Sequence, residues 1–412
     1  MKRILESGSI SIVLGTGGVG KTTVTAALGL AAASGHLNTA LITVDPARRL
    51  RDALGLKRLG GAPTRISESA LRAANLDPSL RLSAMQLDVK GAWDTFIERF
   101  VTDPRTRKSI LNNPFYRNLT QEFAGSEAFA SLQQLYNLHE ARSFDIEIVD
   151  TPPASHAFEF LQAPARLIRL LDSRAARWLF TPSLSAGRIA MRLASQAARF
   201  VLSELERFAG GHVLSAIADF FAAASEATDS IVDRLHKTEA LLHSPAVHFV
   251  MVTTAEQDRL RAARELAREM HRQNLRLDAI VINRFLDEET WRELLLEPSQ
   301  EPAHMRAIAK LHDSNGKASD SDAGVRGVVD FLDEYRERAI DALARVQKFT
   351  HDLPEEITIA ICPEIEIGIS NLAALKKVSE FILTPTDVLV STLRTRRHIA
   401  HAGAHHKSKN AG

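Results

Sequence analysis

Cysteine is almost absent from this chain: Cys362 is the only one in 412 residues. One thiol excludes an internal disulfide framework, an all-cysteine zinc site and a CxxC redox pair within the chain. An excess of charge of either sign is missing as well. The 51 Lys and Arg against 50 Asp and Glu leave a formal net charge of +1. No bulk field then draws the chain to nucleic acid or to an anionic membrane, and no nucleic-acid partner is expected. Nowhere does an uninterrupted apolar run reach about 18 residues, which argues against a membrane-spanning helix. The short apolar run within MKRILESGSISIVLG leads into glycines and not into a small-residue cleavage site, so it does not read as a signal peptide. These absences leave a cytoplasmic protein as the expectation. With 45% hydrophobic residues the chain can bury a sizeable core.

Seven short segments read as strands: Ser9–Leu14, Thr39–Val44, Leu82–Leu87, Ile146–Val149, His248–Thr253, Ala279–Ile282 and Ile357–Cys362. Most are continuous apolar runs, the mark of strands covered on both faces in a parallel sheet. Helical patterns such as Lys21–Ser34 and Gln257–Gln273 lie between them. The expectation is a doubly wound, mostly parallel α/β sheet of about seven or eight strands within residues 1–384. Two stretches without strand signals, at about 89–141 and 158–243, have apolar residues at three- and four-residue spacing and read as inserted helical subdomains. Asp313–Gly327 is rich in Ser, Asp and Gly and reads as a mobile loop. Residues 385–412 form a basic tail carrying four of the 15 histidines, expected to be disordered.

Gly15–Thr23 reads GTGGVGKTT, between a strand and a helix. Gly15, Gly17 and Gly20 satisfy GxGxxG, a dinucleotide fingerprint, and Asp45 could serve as its ribose acid. Gly15, Gly20, Lys21 and Thr22 also satisfy GxxxxGK[ST], the phosphate loop of an NTPase. The second reading is favoured, because a dinucleotide turn has no use for an adjacent Lys-Thr pair. Glycines let successive N–H groups turn inward around an anion at a helix N-terminus. Lys21 is then placed to reach the β- and γ-phosphates, and the Thr22 hydroxyl to ligate Mg²⁺.

Asp45, in TVDPARRL, and Asp150, in IEIVDTPPASH, each follow a predicted strand. Ligands of parallel α/β sheets sit at that edge. Two acids there suit metal coordination and the positioning of a water; helix capping is the other reading of each. Asn283, in VINRFL, could read a purine edge, or cap a turn. The position three residues on, which a guanine site fills with an acid, is Leu286, so adenine is favoured.

GTGGVGKTT, TVDPARRL, VDTPPASH and VINR, in this order, resemble the ArsA-type ATPases, a family of the deviant phosphate-loop class that includes arsenite-pump and tail-anchored-protein-targeting ATPases. The likeness is greatest to the bacterial single-domain branch and runs from Ser9 to Leu383. It implies a Mg²⁺-dependent ATPase. Gly17, Gly18, Val19, Gly20, Lys21, Thr22 and Thr23 would hold the phosphates, with Thr22 on the metal. Asp45 matches the first switch acid, which orients the hydrolytic water. Asp150 matches the second switch acid, on the metal through water. His156 matches a switch histidine, Asn283 the adenine-contacting Asn, and Pro363 the proline packed near the base.

The chain also departs from the family. The class carries a lysine one residue after the first loop glycine, which reaches a partner's nucleotide; here that residue is Thr16. Arg48 or Arg49 is a candidate substitute, and a paralogous partner chain could also supply the lysine. The CxxC of the targeting branch and the cysteine cluster of the arsenite pumps are both missing. A single phosphate loop implies a second subunit, as a homodimer or a heterodimer with a paralogous ATPase. The resemblance implies a nucleotide-driven dimeric switch in membrane-protein targeting or membrane-associated transport. Its partner would be an apolar client helix or a membrane protein. Residues such as Phe200, Leu205 and Phe220 could hold such a helix, but packing against each other as an ordinary helical core is the favoured reading of them. A positioning switch of the ParA and MinD kind, and a nucleotide-binding module that needs a partner for hydrolysis, stay open.

Overall fold

The computed structural model describes residues 1–44, 49–114, 116–117, 120, 126–152, 162–165, 168–169, 228–286, 320–365 and 371–383. Asp45, Arg48, His156, residues 170–227 and the basic tail lie outside them. The apolar runs form β1 (Ser9–Gly15), β2 (Thr39–Thr43), β3 (Thr64–Arg65), β4 (Leu82–Gln86), β5 (Ile146–Asp150), β6 (Val247–Thr253), β7 (Leu277–Phe285) and β8 (Thr358–Pro363). They make one sheet in the order β3-β4-β2-β5-β1-β6-β7-β8. All pairs are parallel except β3 with β4. This is the doubly wound α/β architecture of phosphate-loop NTPases, as the sequence predicts.

Every residue of β1, β2, β5 and β6 is buried. Period-two alternation sends their side chains to two apolar layers. Ile10, Ile12 and Leu14 enter one layer and Val13 the other. A strand sandwiched this way has no polar face to show, which is why the sequence carries continuous apolar runs.

Ten described helices cover the sheet: α1 (Lys21–Ser34), α2 (Arg49–Ala53), α3 (Glu68–Ala73), α4 (Val89–Phe100), α5 (Pro104–Asn112), α6 (Ser126–Glu140), α7 (Thr228–Leu242), α8 (Gln257–Arg272), α9 (Asp320–His351) and α10 (Leu372–Leu383). Val24 and Leu28 of α1 share a layer with Leu375 and Val378 of α10. On the other face, Trp93 and Phe96 of α4 pack on Phe129 of α6, with ring centroids 4.2 and 5.0 Å apart. These rings belong to the same core as Ile10 and Ile12 of β1, so the helices of 89–141 share the core of the sheet. Arg234 of α7 is buried against α6. Its Nε donates to Gln133 at 3.0 Å, it bonds Asn137, and it lies over the Tyr136 ring. Among the described residues, no helix is long and apolar enough to cross a membrane.

Three differences from the sequence reading have physical causes. The stretch expected as a mobile loop, 313–327, is helical from Asp320 onward, and 313–319 lie outside the described residues. Ser, Asp and Gly suit loops and helix starts alike, so composition does not tell the two apart. Glycines at 324 and 327 are tolerated inside 32 residues, at about 1 kcal/mol each. The two-residue β3 is too short to leave a pattern. Finally, Asp150 and Asn283 are not beyond their strands but within β5 and β7.

Candidate nucleotide site

β1 leads into the loop at the middle of the sheet, between β5 and β6. Strand order reverses there, and such a switch point opens a crevice at the carboxyl ends of the strands. The chain must turn sharply out of β1. A Cβ on Gly15 would stand 2.4 Å from the Val252 carbonyl of β6, so the close approach requires glycine. At the other end, Gly20 caps α1 with φ +94, in the left-handed region. No side chain caps α1, and its first turn carries no acid. Its N-terminal N–H groups and positive dipole therefore face the crevice without a capping side chain or an acid of the helix's own first turn.

Lys21, the first residue of α1, is only 8% exposed, and its Nζ donates to the Thr16 carbonyl across the loop at 3.2 Å. The Thr22 hydroxyl donates to Oδ2 of Asp150 at 2.8 Å. Thr43, at the end of β2, also donates to that oxygen, at 3.4 Å. Asp150 is buried, and the next residue, Thr151, donates its hydroxyl to the Val13 carbonyl of β1 at 2.7 Å. The strand ends thus hold the carboxylate over the first turn of α1. Thr22 and Asp150 are 128 residues apart in sequence, and the parallel pairing of β1 with β5 brings them together.

Asn283 reaches the same loop from β7. Its Nδ2 donates to the Val19 carbonyl at 2.8 Å and stands 2.2 Å from where a Cβ on Gly20 would be. One N–H of the expected base-reading amide is committed to the loop. A register shift between Ile282 and Phe285 lifts the strand there, and Phe285 faces the buried Pro363 of β8. Asn283 and Pro363 therefore lie on neighbouring strand ends. Cys362, next to Pro363, is buried, and burial pushes its thiol up to about 12. It is no nucleophile at neutral pH.

The sequence-predicted residues Gly17 to Thr23, Asp150, Asn283 and Pro363 all fall at this edge of the sheet. Asp45 and His156 lie outside the described residues, and so does Arg48. Arg49, the other suggested substitute for the class lysine, is an exposed residue of α2. Sequence reading missed two hydroxyls. Thr43 supports Asp150, and Thr254, one residue past β6, is buried with no hydrogen-bond partner among the described residues. The Thr16 hydroxyl is buried without a partner too. Buried polar atoms are seldom left so unless something else satisfies them. An uncapped helix start, a lysine, a Thr–Asp pair and these hydroxyls form a donor set suited to a polyphosphate with a divalent cation.

This sheet and loop define an α/β phosphate-loop NTPase. A family model described as Anion-transporting ATPase matches residues 9–303, and the chain belongs to that family. The match ends before β8, short of the Leu383 to which the motif resemblance extends. The chain is similar to the ATPase ASNA1 homolog 2 of Paramecium tetraurelia, 30% identical over 167 residues, covering 40% of this chain and 47% of that protein. It is similar to the ATPase GET3 of Malassezia globosa, 27% identical over 173 residues, covering 42% and 47%. The ATPase GET3 of Candida glabrata is 30% identical over 171 residues, covering 38% and 46%. The chain thus spans about half the length of the curated relatives it matches.

Proposed function

We propose that the chain binds ATP with Mg²⁺ at this loop, hydrolyses it, and works as a nucleotide-driven dimeric switch in membrane-protein targeting or membrane-associated transport. The observation that carries the reading is the 2.8 Å bond from the Thr22 hydroxyl to buried Asp150, over an uncapped helix start that begins with Lys21. Thr22 and Asp150, so paired, would be the protein's share of a Mg²⁺ site. The chemistry that Mg²⁺ would supply there is neutralisation of charge on phosphate oxygens.

The chain's own residues do the rest. The amides of Gly17, Gly18, Val19 and Gly20 and the start of α1, including Thr23, cradle the phosphates. Lys21 exchanges the Thr16 carbonyl for phosphate oxygen, so its charge stays desolvated and strong. By the family resemblance, Asp45 would orient the attacking water and His156 would serve as the switch histidine. With its Nδ2 on Val19, Asn283 would accept from the adenine amine through Oδ1, and Pro363 would pack near the ring. The dimer and the client of the switch are carried by the family resemblance.

Measuring ATP hydrolysis against chain concentration, with light scattering on the same samples, tests this. The rate per subunit is expected to rise as dimer forms, and to need Mg²⁺. Lys21→Ala and Asp150→Asn are expected to lower it about a hundredfold or more. Asp45→Asn is expected to abolish turnover and spare ATP binding; retained hydrolysis would remove Asp45 from its role. A rate that ignores Lys21 and Asp150 would sink the reading as a whole.

A further inference from the structure

A second cation stands beside the loop. Gly18 has φ +82, and the point where its Cβ would be lies 3.9 Å from Nη2 of Arg259. Arg259 belongs to the first turn of α8, which starts shortly after β6. Because β6 is the neighbour of β1, with Val252 opposite Gly15, the β6–α8 turn emerges against the loop. The guanidinium pairs with Glu256 across 3.5 Å, and the two side chains are 40% and 72% exposed. So long and solvated an ion pair holds its partners weakly, and the arginine can leave it. Thr16, one residue after the first loop glycine, brings no charge. Lys21 is then the one cation inside the GTGGVGKTT segment, facing a ligand with several negative charges.

We propose that Arg259 contacts the phosphate chain of the nucleotide held in this loop, and does so from the same polypeptide. The proposal rests on the reading of the loop as an ATP site. A guanidinium offers two parallel N–H groups to phosphate oxygens, a match that an ammonium lacks. Held on a rigid helix start next to the loop, it makes each chain self-sufficient for the cation.

Equilibrium binding of a non-hydrolysable ATP analogue with Mg²⁺ tests this without turnover, on the full chain at a concentration below self-association. Arg259→Ala is expected to weaken binding about tenfold. Arg259→Lys should recover part of that loss. Glu256→Gln, which removes only the ion-pair partner, should bind at least as tightly as the unaltered chain. Binding by Arg259→Ala equal to that of the unaltered chain would overturn the proposal. So would an equal loss in Glu256→Gln, which would make the ion pair merely structural. The same titration repeated where the chain self-associates separates the two sites: a loss seen only there would put Arg259 on a partner's nucleotide and overturn the assignment within one chain. Lys21→Ala separates the two levels. If it weakens binding and Arg259→Ala does not, the arginine proposal alone fails. If neither does, or the unaltered chain binds no nucleotide, the ATP-site reading fails and takes the proposal with it.

Discussion

At the scale of single residues, the loop is held by partners remote in sequence. Asn283 fixes the Val19 carbonyl from 264 residues away, and it fits only because Gly20 has no Cβ. The glycines, Lys21, Thr22 and Asp150 were legible in the sequence, since local spacing and a strand-end position carry their chemistry. The bond from Asn283 to the loop and the approach of Arg259 to Gly18 were not. Both depend on the strand order beside β1, with β6 next to it and β7 one strand further, and no residue pattern near either position encodes that. Cys362 gives a test at this scale. With burial raising it to about 12, only about one thiol in ten thousand is thiolate at pH 8. A thiol reagent at pH 8 is therefore expected to leave the folded chain unlabelled, and to take up one equivalent once denaturant unfolds it. Rapid labelling without denaturant would contradict the burial of β8.

Between elements, strand pairing is set as much by side chains as by backbone. The ladder from β6 to β7 shifts register between Phe249 and Val250. There the Phe249 N–H is taken by Oδ2 of Asp278 at 3.1 Å. The other oxygen of Asp278 meets His248 at 3.2 Å and Arg276 at 2.7 Å. Burial alone would raise the Asp278 carboxyl. The hydrogen bond and charge of His248, the Phe249 N–H and the charge of Arg276 outweigh it, and hold the group below its ordinary 3.8. Its ionised form is therefore favoured in the folded chain. The stability it adds is complete above the ordinary 3.8 and disappears as pH falls through the lowered value. Asp278→Asn is expected to cost about 1–2 kcal/mol at pH 7, and the difference from the unaltered chain should close as pH drops below about 4 in denaturant melts. The seven longer strands could be read from the sequence because they are buried on both faces. The short β3 and the start of α9 could not, the first for want of length. The second reads as a loop because Ser, Asp and Gly mark loops and helix starts alike.

At the scale of the whole molecule, the layered sheet explains why site residues from β1, β2, β5, β7 and β8 meet at one edge. In a parallel sheet every strand ends on the same side, so five distant segments deliver their side chains to a single crevice.

The placement of β1 in the middle of the sheet also bears on how the chain is made. Ile10 is partnered by Val247 of β6, and Ile12 by Val149 of β5. A ribosome adding about 5–20 residues per second finishes Ile10 about ten to fifty seconds before Val247. Through that interval the fully buried central strand lacks one of its neighbours and waits as an open edge. Nascent chains arrested before β6 are expected to be cut by protease near β1, and chains released with β6 in place to be protected there. The same central position that gathers the site makes the newborn chain dependent on shelter until well past its midpoint.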